Sequence, residues 1–300
     1  MKINLRQLGY FVAVAEHGSA LRAAKAVHVS QPSISTAIRD LEKVLGQPLF
    51  HRRYAKGMNL TPFGQRKLVE ARHLLAEAQA FGSGGEDDDS TTGTVAFGYF
   101  TSLGPSHVPP LLRRVAEQLP NLTVDLSECD LEEINERLRD GRMEVALSYD
   151  VGLTCPVTKE VLANFTPYAV LAEDHPLAAN DTVSLHDLAR ERFILVDLPV
   201  SREFLLAPFW QNGLEPEIIH EVGSVEMVRG MVANGLGVSL LTTRPAHDRT
   251  YDGRRLASRP IREMVVPQKL IAAYPSAHPP TRTVTAFLGC LRQYFQSADM

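Results

Sequence analysis

From Ser30 to Arg39 the chain reads SQPSISTAIR, a run of short hydrogen-bonding side chains closed by a guanidinium. Gln31, Pro32, Ser33, Ser35, Thr36 and Arg39 are suited to base edges and nearby phosphates, with Ser33, Ser35 or Thr36 against thymine methyls or base acceptors. Arg52, Arg53 and Lys56 are suited to phosphates, or to the minor groove if they reach it. Such contacts give affinity and salt dependence but little reading of sequence. Farther on, Thr101 and Ser102 stand where a strand hands over to a helix start, so their hydroxyls and nearby N–H groups suit a carboxylate. Simple helix capping is the competing use of the same two residues. The chemistry of an enzyme is not indicated: the ten histidines are scattered, and neither HExxH nor GxSxG occurs.

The first set needs a helix to present it. Ile34, Ile38, Leu41 and Leu45 recur at i, i+4, i+7 and i+11, one apolar face behind the polar arc. Ser30 suits the N-cap and Pro32 the first turn. Before it, Leu21, Ala23, Ala24 and Ala26 make a small-residue helix that breaks at Val27-His28-Val29. The pair is a helix-turn-helix, whose second helix fits the major groove; an ordinary hairpin with a solvated face is the plainer alternative. Residues 4–16 form a preceding helix with Leu5, Leu8, Phe11, Val12 and Ala15 inward, ended by Gly18, and Ser19 caps the next. Pro48 to Arg53 and Met58 to Leu60 read as short strands around a basic tip, a wing. Thr61-Pro62 opens a helix to about residue 81, with Leu68, Ala71, Leu75 and Ala78 at a/d-like spacing. Its stripe is assigned to a second copy of the chain, packing on its own wing domain being the alternative.

Charge supports this division. Residues 1–66 hold ten Lys/Arg against three acids, net +7, whereas the remainder holds 21 against 32, net −11. A basic head on an acidic body suits a small polyanion-binding module joined to a soluble one. Residues 83–93, rich in Gly, Ser and acid, read as a flexible hinge; an acidic calcium loop lacks its spaced ligands and closing Glu. From Thr94, strands and helices alternate in two sets, which predicts parallel βαβ units in two α/β lobes with a cleft between them. The expected lining is Thr101, Ser102 and Leu103 with Asp130 and Tyr149 from one lobe, and Pro199, Ser201, Arg202, Ser224 and Val225 from the other. An Asp130 carboxylate there disfavours a strongly anionic ligand. No run of 18 apolar residues occurs, and MKINLRQLGYF lacks a signal core, so a cytoplasmic protein without membrane contact is expected. Cys129, Cys155 and Cys290 are odd in number and far apart, supporting neither a disulfide framework nor a metal site, and are read as buried apolar thiols.

The N-terminal region resembles the LysR-type transcriptional regulators. The matching stretches are Leu5-Arg6-Gln7-Leu8 with Phe11, Gly18-Ser19 followed by Ala23-Ala24, and Val29-Ser30-Gln31-Pro32-Ser33-Ile34-Ser35. Leu41-Glu42, Leu45-Gly46, Pro48-Leu49-Phe50 and Leu60-Thr61-Pro62-Phe63-Gly64 continue them at kept spacing. Pro109-Pro110-Leu111-Leu112, Asp140-Gly141, His175-Pro176-Leu177-Ala178 and Gly235-Leu236-Gly237-Val238 extend the likeness to the family's effector region, which is like a periplasmic binding protein. Departures are Leu21, Phe63, Leu131 and Leu241-Thr242-Thr243-Arg244-Pro245; the last two bear on the ligand, not the fold.

The resemblance implies a winged helix-turn-helix over 1–61, a linker and dimerisation helix over 62–82, and the hinge over 83–93. It further implies a first effector lobe from 94–163 and 266–300, and a second from 164–265. It implies double-stranded DNA, a small organic effector (a carboxylate among the candidates), a second copy in a homodimer or homotetramer, and RNA polymerase as partners, with no cofactor and no metal. The rival from another class is a small-molecule binding or transport module without specific DNA binding.

Overall fold

The computed structural model describes residues 3–52, 57–82, 91–198 and 201–297. The head begins with α1 (Leu5–His17), capped by Asn4 and Gln7 in a reciprocal box and stopped at Gly18 in the left-handed region. α2 (Ala20–Ala26) follows; Ser19 occupies its N-cap but makes no side-chain cap bond, so that expectation fails. The turn to α3 (Gln31–Leu45) passes through His28 at φ 53°, a conformation that His tolerates better than most side chains. Ser30 accepts from the Ser33 N–H, and Gly46 ends α3 in the left-handed region. Ile34, Ile38 and Leu41 are buried against Phe11, Val14 and Ala23. β1 (Phe50–Arg52) and β2 (Met58–Leu60) pair antiparallel, with the wing tip at 53–56 outside the described residues.

α4 (Pro62–Gly82) closes the head. Thr61 takes a hydrogen bond from the Gly64 N–H at 2.9 Å and gives one to the Pro48 carbonyl at 2.8 Å, tying the helix start to the wing. Leu68 and Ala71 are buried in the head's own core beside α1. Half of the stripe assigned from spacing to a second copy, Leu68 and Ala71, is therefore used at home, while Leu75 and Ala78 are only partly covered. What α4 leaves exposed is Leu74 and Phe81, the latter 91% accessible.

The body carries two separate cores. Its first lobe contains β3 (Gly93–Phe100), α5 (Gly104–Gln118), β4 (Leu122–Cys129), α6 (Leu131–Arg139), β5 (Val145–Tyr149) and β6 (Val157–Phe165). The second contains β7 (Tyr168–Ala172), α7 (Leu185–Leu188), β8 (Arg192–Val196), α8 (Ser201–Gln211), β9 (Glu217–Val222), α9 (Val225–Ala233), β10 (Ser239–Leu241) and β11 (Leu256–Pro260). The chain then returns through β12 (Gln268–Pro275) and α10 (Arg282–Ser297). The first-lobe sheet runs β4-β3-β5-β12-β6, with β3 parallel to both its neighbours and β12 antiparallel to both of its own. The second lobe is not the parallel set expected from alternation. β8 and β9 are parallel, but β10-β7-β11 are antiparallel, because β7 receives partners from far along the chain.

Head and body touch through α4. Arg72 donates to the Asp140 carbonyl and, at 3.1 Å, to Glu16 of α1; the His73 and His278 rings stack at 4.7 Å. Burial pulls the Arg72 pKa down and Glu16 pushes it back, so this guanidinium is positioned by both halves at once. Among the described residues no helix is long and apolar enough to cross a membrane.

Candidate nucleic-acid interface and ligand cleft

α3 presents two unlike faces. Behind lie Ile34, Ile38 and Leu41, at 2% exposure or less. In front, Gln31, Pro32, Ser33, Thr36 and Arg39 are exposed and Ser35 is half-buried. None of this strip is covered by the protein's own body. Ser33 is partly engaged, its hydroxyl 2.8 Å from that of Ser30. Arg39 makes no ion pair or hydrogen bond among the described residues, so its guanidinium is available. Arg53 and Lys56 lie outside the described residues, and Arg52 is described only as the end of β1.

The second site lies between the lobes. A cleft of about 590 Å³ is bordered by Tyr99, Thr101, Ser102, Glu128, Leu198, Ser224, Val225, Glu226, Thr243 and Tyr251. A narrow recess adjoins it, sharing Ser102, Leu198, Val225 and Thr243, and adding Tyr149, Ser201, Phe204, Leu241, Thr242 and Gln268. Of the residues expected there, Thr101, Ser102, Tyr149, Ser201, Ser224 and Val225 are brought together from both lobes. Pro199 lies outside the described residues.

Three expectations are corrected. Leu103 is fully buried in the first-lobe core, because the short 3-10 turn Thr101–Leu103 points it inward. Asp130 caps α6, accepting from the Glu133 N–H at 2.8 Å in a reciprocal box, and does not line the cleft. Arg202 turns away to Glu221 at 2.7 Å and Asp197 at 3.8 Å, so it neutralises surface acids and not a ligand.

Thr101 is also differently employed than its position suggested. Its hydroxyl donates to Glu128, which accepts from Tyr99 as well, at 3.3 Å. Burial and the neighbouring Glu128 carboxylate raise the Tyr99 pKa. The Tyr149 hydroxyl bonds that of Thr243, and burial raises its pKa, so it stays protonated at neutral pH. Ser224 caps α9 by accepting from the Met227 N–H at 3.3 Å. Glu226, in the first turn of α9, lies 3.0 Å from Nε of Arg229. Glu128, Glu226, Thr242, Thr243 and Gln268 were not singled out in the sequence. The one signal for any of them was the departure at Leu241-Thr242-Thr243, which marks where the lining differs.

The cysteines are buried and form no disulfide among the described residues, and burial raises all three thiol pKa values, which disfavours the thiolate. Among the described residues no group of His, Cys, Asp or Glu is arranged to hold a metal ion.

Comparison with known proteins agrees with this two-site plan. Residues 5–65 match the family model described as bacterial regulatory helix-turn-helix protein, lysR family, and residues 88–296 match the LysR substrate binding domain. The HTH-type transcriptional regulator YnfL of Escherichia coli is 30% identical over 289 residues, covering 93% of this chain and 94% of that protein. The DNA-binding transcriptional dual regulator OxyR of Escherichia coli is 29% identical, covering 80% and 79%. The crystal structure of HinK, a LysR family transcriptional regulator from Pseudomonas aeruginosa, superposes with a TM-score of 0.66 at 34% identity, covering 97% of this chain and 98% of that one. The exposed strip on α3, the two-lobed body and these matches together make the chain a member of the LysR family of transcriptional regulators.

Proposed function

We propose that α3 enters the major groove with Gln31, Pro32, Ser33, Ser35, Thr36 and Arg39 against base edges and adjacent phosphates, and that Arg52, Arg53 and Lys56 of the wing hold the backbone. The observation that carries this reading is the exposure of the whole polar strip while its apolar reverse is buried. A short side chain discriminates bases only at close approach, so rigid support from behind is a requirement. In a retention assay against one selected operator and random DNA, Arg39→Ala should weaken specific binding about 10- to 100-fold, a bidentate base contact being worth ~1–3 kcal/mol. Random DNA should lose only a few-fold. Equal losses on both would make Arg39 a phosphate contact, and no retention even at low salt would favour the binding-module alternative.

The assembly follows from α4. Leu74 and Phe81 are large apolar side chains left exposed on a 21-residue helix. A second α4 is their partner in this reading, making a homodimer that pairs further into a homotetramer on DNA. Leu74→Glu with Phe81→Glu should yield monomers in analytical ultracentrifugation and cut operator affinity at least tenfold. A dimer of unchanged affinity would remove this face from the interface. A small organic effector occupies the cleft at Thr101, Ser102, Tyr149, Ser201, Ser224 and Val225. By changing lobe closure it alters the spacing of paired heads and hence contact with RNA polymerase. A cytoplasmic setting accords with these partners.

A further inference from the structure

The cleft has a charge that its effector must match. Every ionisable side chain on its border, apart from tyrosines, is a glutamate: Glu128 and Glu226, with no Lys, Arg or His among the described lining residues. The one arginine expected there, Arg202, is occupied outside by Glu221. Glu226 has the Arg229 side chain beside it. Glu128 has no cation partner among the described residues; it is held by the hydroxyls of Thr101 and Tyr99. Those bonds fix its carboxylate at the mouth and use the Thr101 donor that a carboxylate ligand would need.

A second observation points to the ligand. Gln268 borders the recess and is only 5% exposed, yet no hydrogen bond reaches its side-chain amide among the described residues. Its amide atoms are not among the fully buried, unpartnered polar atoms, so they open on the recess, where a polar ligand atom can bond them. Aromatic faces complete the setting: Tyr99 and Tyr251 border the same mouth. Ring faces attract cations and not anions.

We infer that the effector is a small organic ammonium compound whose charge pairs with Glu128 and whose opposite end bears a hydrogen-bonding group reaching Gln268. This rests on the reading of the cleft as the effector site and adds the ligand's charge. A carboxylate would meet the Glu128 carboxylate, which has no cation partner among the described residues, and no lining cation of its own. An ammonium group meets an acceptor already oriented.

Isothermal titration and thermal shift of the full chain test this with charge-reversed pairs of equal length: 2-phenylethylamine against phenylacetate, and 3-amino-1-propanol against 3-hydroxypropionate. At least one amine should raise the melting temperature, and neither acid should. The responding amine should bind Glu128→Gln at least tenfold more weakly and Gln268→Leu measurably more weakly if it bears the hydroxyl, with circular dichroism confirming that both variants fold. Glu128→Asp should restore part of the loss. Stabilisation by an acid alone, an amine affinity unchanged within twofold in Glu128→Gln, or no response to either amine would overturn the inference. Ser102→Trp, which fills the junction of cleft and recess, separates the location of the site from the charge of its ligand. An amine response that survives it refutes the cleft as effector site, whereas an acid response that it abolishes keeps the cleft and refutes only the charge.

Discussion

Gly64→Ala should unfold the head while leaving the body intact. A Cβ at this position would lie 2.0 Å from the Leu49 carbonyl oxygen and 2.9 Å from its carbon. That obstacle is backbone, not a side chain that can swing aside. The Leu49 carbonyl also accepts the Thr61 N–H at 2.9 Å, so moving it breaks the join between wing and α4. Overpacking in a tight core costs about 1–3 kcal/mol and more where the backbone must shift. For a head this small we expect ~3 kcal/mol or more, a large share of its stability. Operator retention should fall below detection. The one tryptophan, Trp210, sits in α8 of the second lobe and reports on the body alone. Its fluorescence transition in urea should be unchanged within error. A variant that still binds operator with wild-type affinity would mean that α4 can rise off the wing at little cost.

The second large effect is acid sensitivity of the first lobe. His107 on α5 is stacked 5.6 Å from Phe165 and packed on Phe295 at 5.3 Å. Its Nε2 is buried with no partner among the described residues, and Nδ1 lies 3.4 Å from the Tyr294 hydroxyl. Burial alone pushes its pKa down, from 6.5 to about 4. The unfolded chain therefore takes up a proton near pH 6.5 that the folded lobe refuses until about pH 4. Stability attributable to this residue is fully present above pH 6.5 and drains as pH falls towards 4, by about 3 kcal/mol in all. His107→Phe keeps the stacking and removes the titration. Urea unfolding followed by circular dichroism at pH 7.5 and pH 5 should then show a smaller acid loss for the variant, by ~1–2 kcal/mol over that interval. Equal pH slopes for both proteins would clear His107 of this role.

Legibility in the sequence tracked distance along the chain. α3 could be read to its residue limits because its stripe, its cap and its terminating glycine are all local. α6 could be read for the same reason, Leu131–Arg139 being one short amphipathic helix. β6 was missed: VTKEVLANF alternates poorly, since it is an edge strand with only one neighbour, β12. β11 was missed because its pairing partner β7 lies more than 80 residues earlier, and nothing in LASRP announces it. The α4 stripe was seen, but two of its four residues, Leu68 and Ala71, are covered by the head itself. Periodicity says that a face must be covered and is silent on whether the cover is the same chain or another.

The sites divide in the same way. The exposed polar strip lies along one helix, so it was visible whole. The cleft is assembled by the return of the chain through β12, which sets Gln268 near Tyr149, and by β4, which carries Glu128; neither residue stands in a local pattern that marks a site. Arg202 and Asp130 were the reverse case: charges at helix starts resembled ligand contacts but serve the fold, one in a surface ion pair and the other as a cap.

The two crossings between lobes have a mechanical consequence. The outgoing strand β6 and the returning strand β12 are hydrogen-bonded neighbours up to the pair Phe165 and Gln268, beside the point where the second lobe departs. Two adjacent tethers resist relative twisting far better than one, so the soft motion left to the lobes is a swing about the line joining those residues. Occupancy of the cleft would then reach the DNA as a single angle, and a substitution stiffening segment 264–267 would blunt every effector alike, whatever its chemistry.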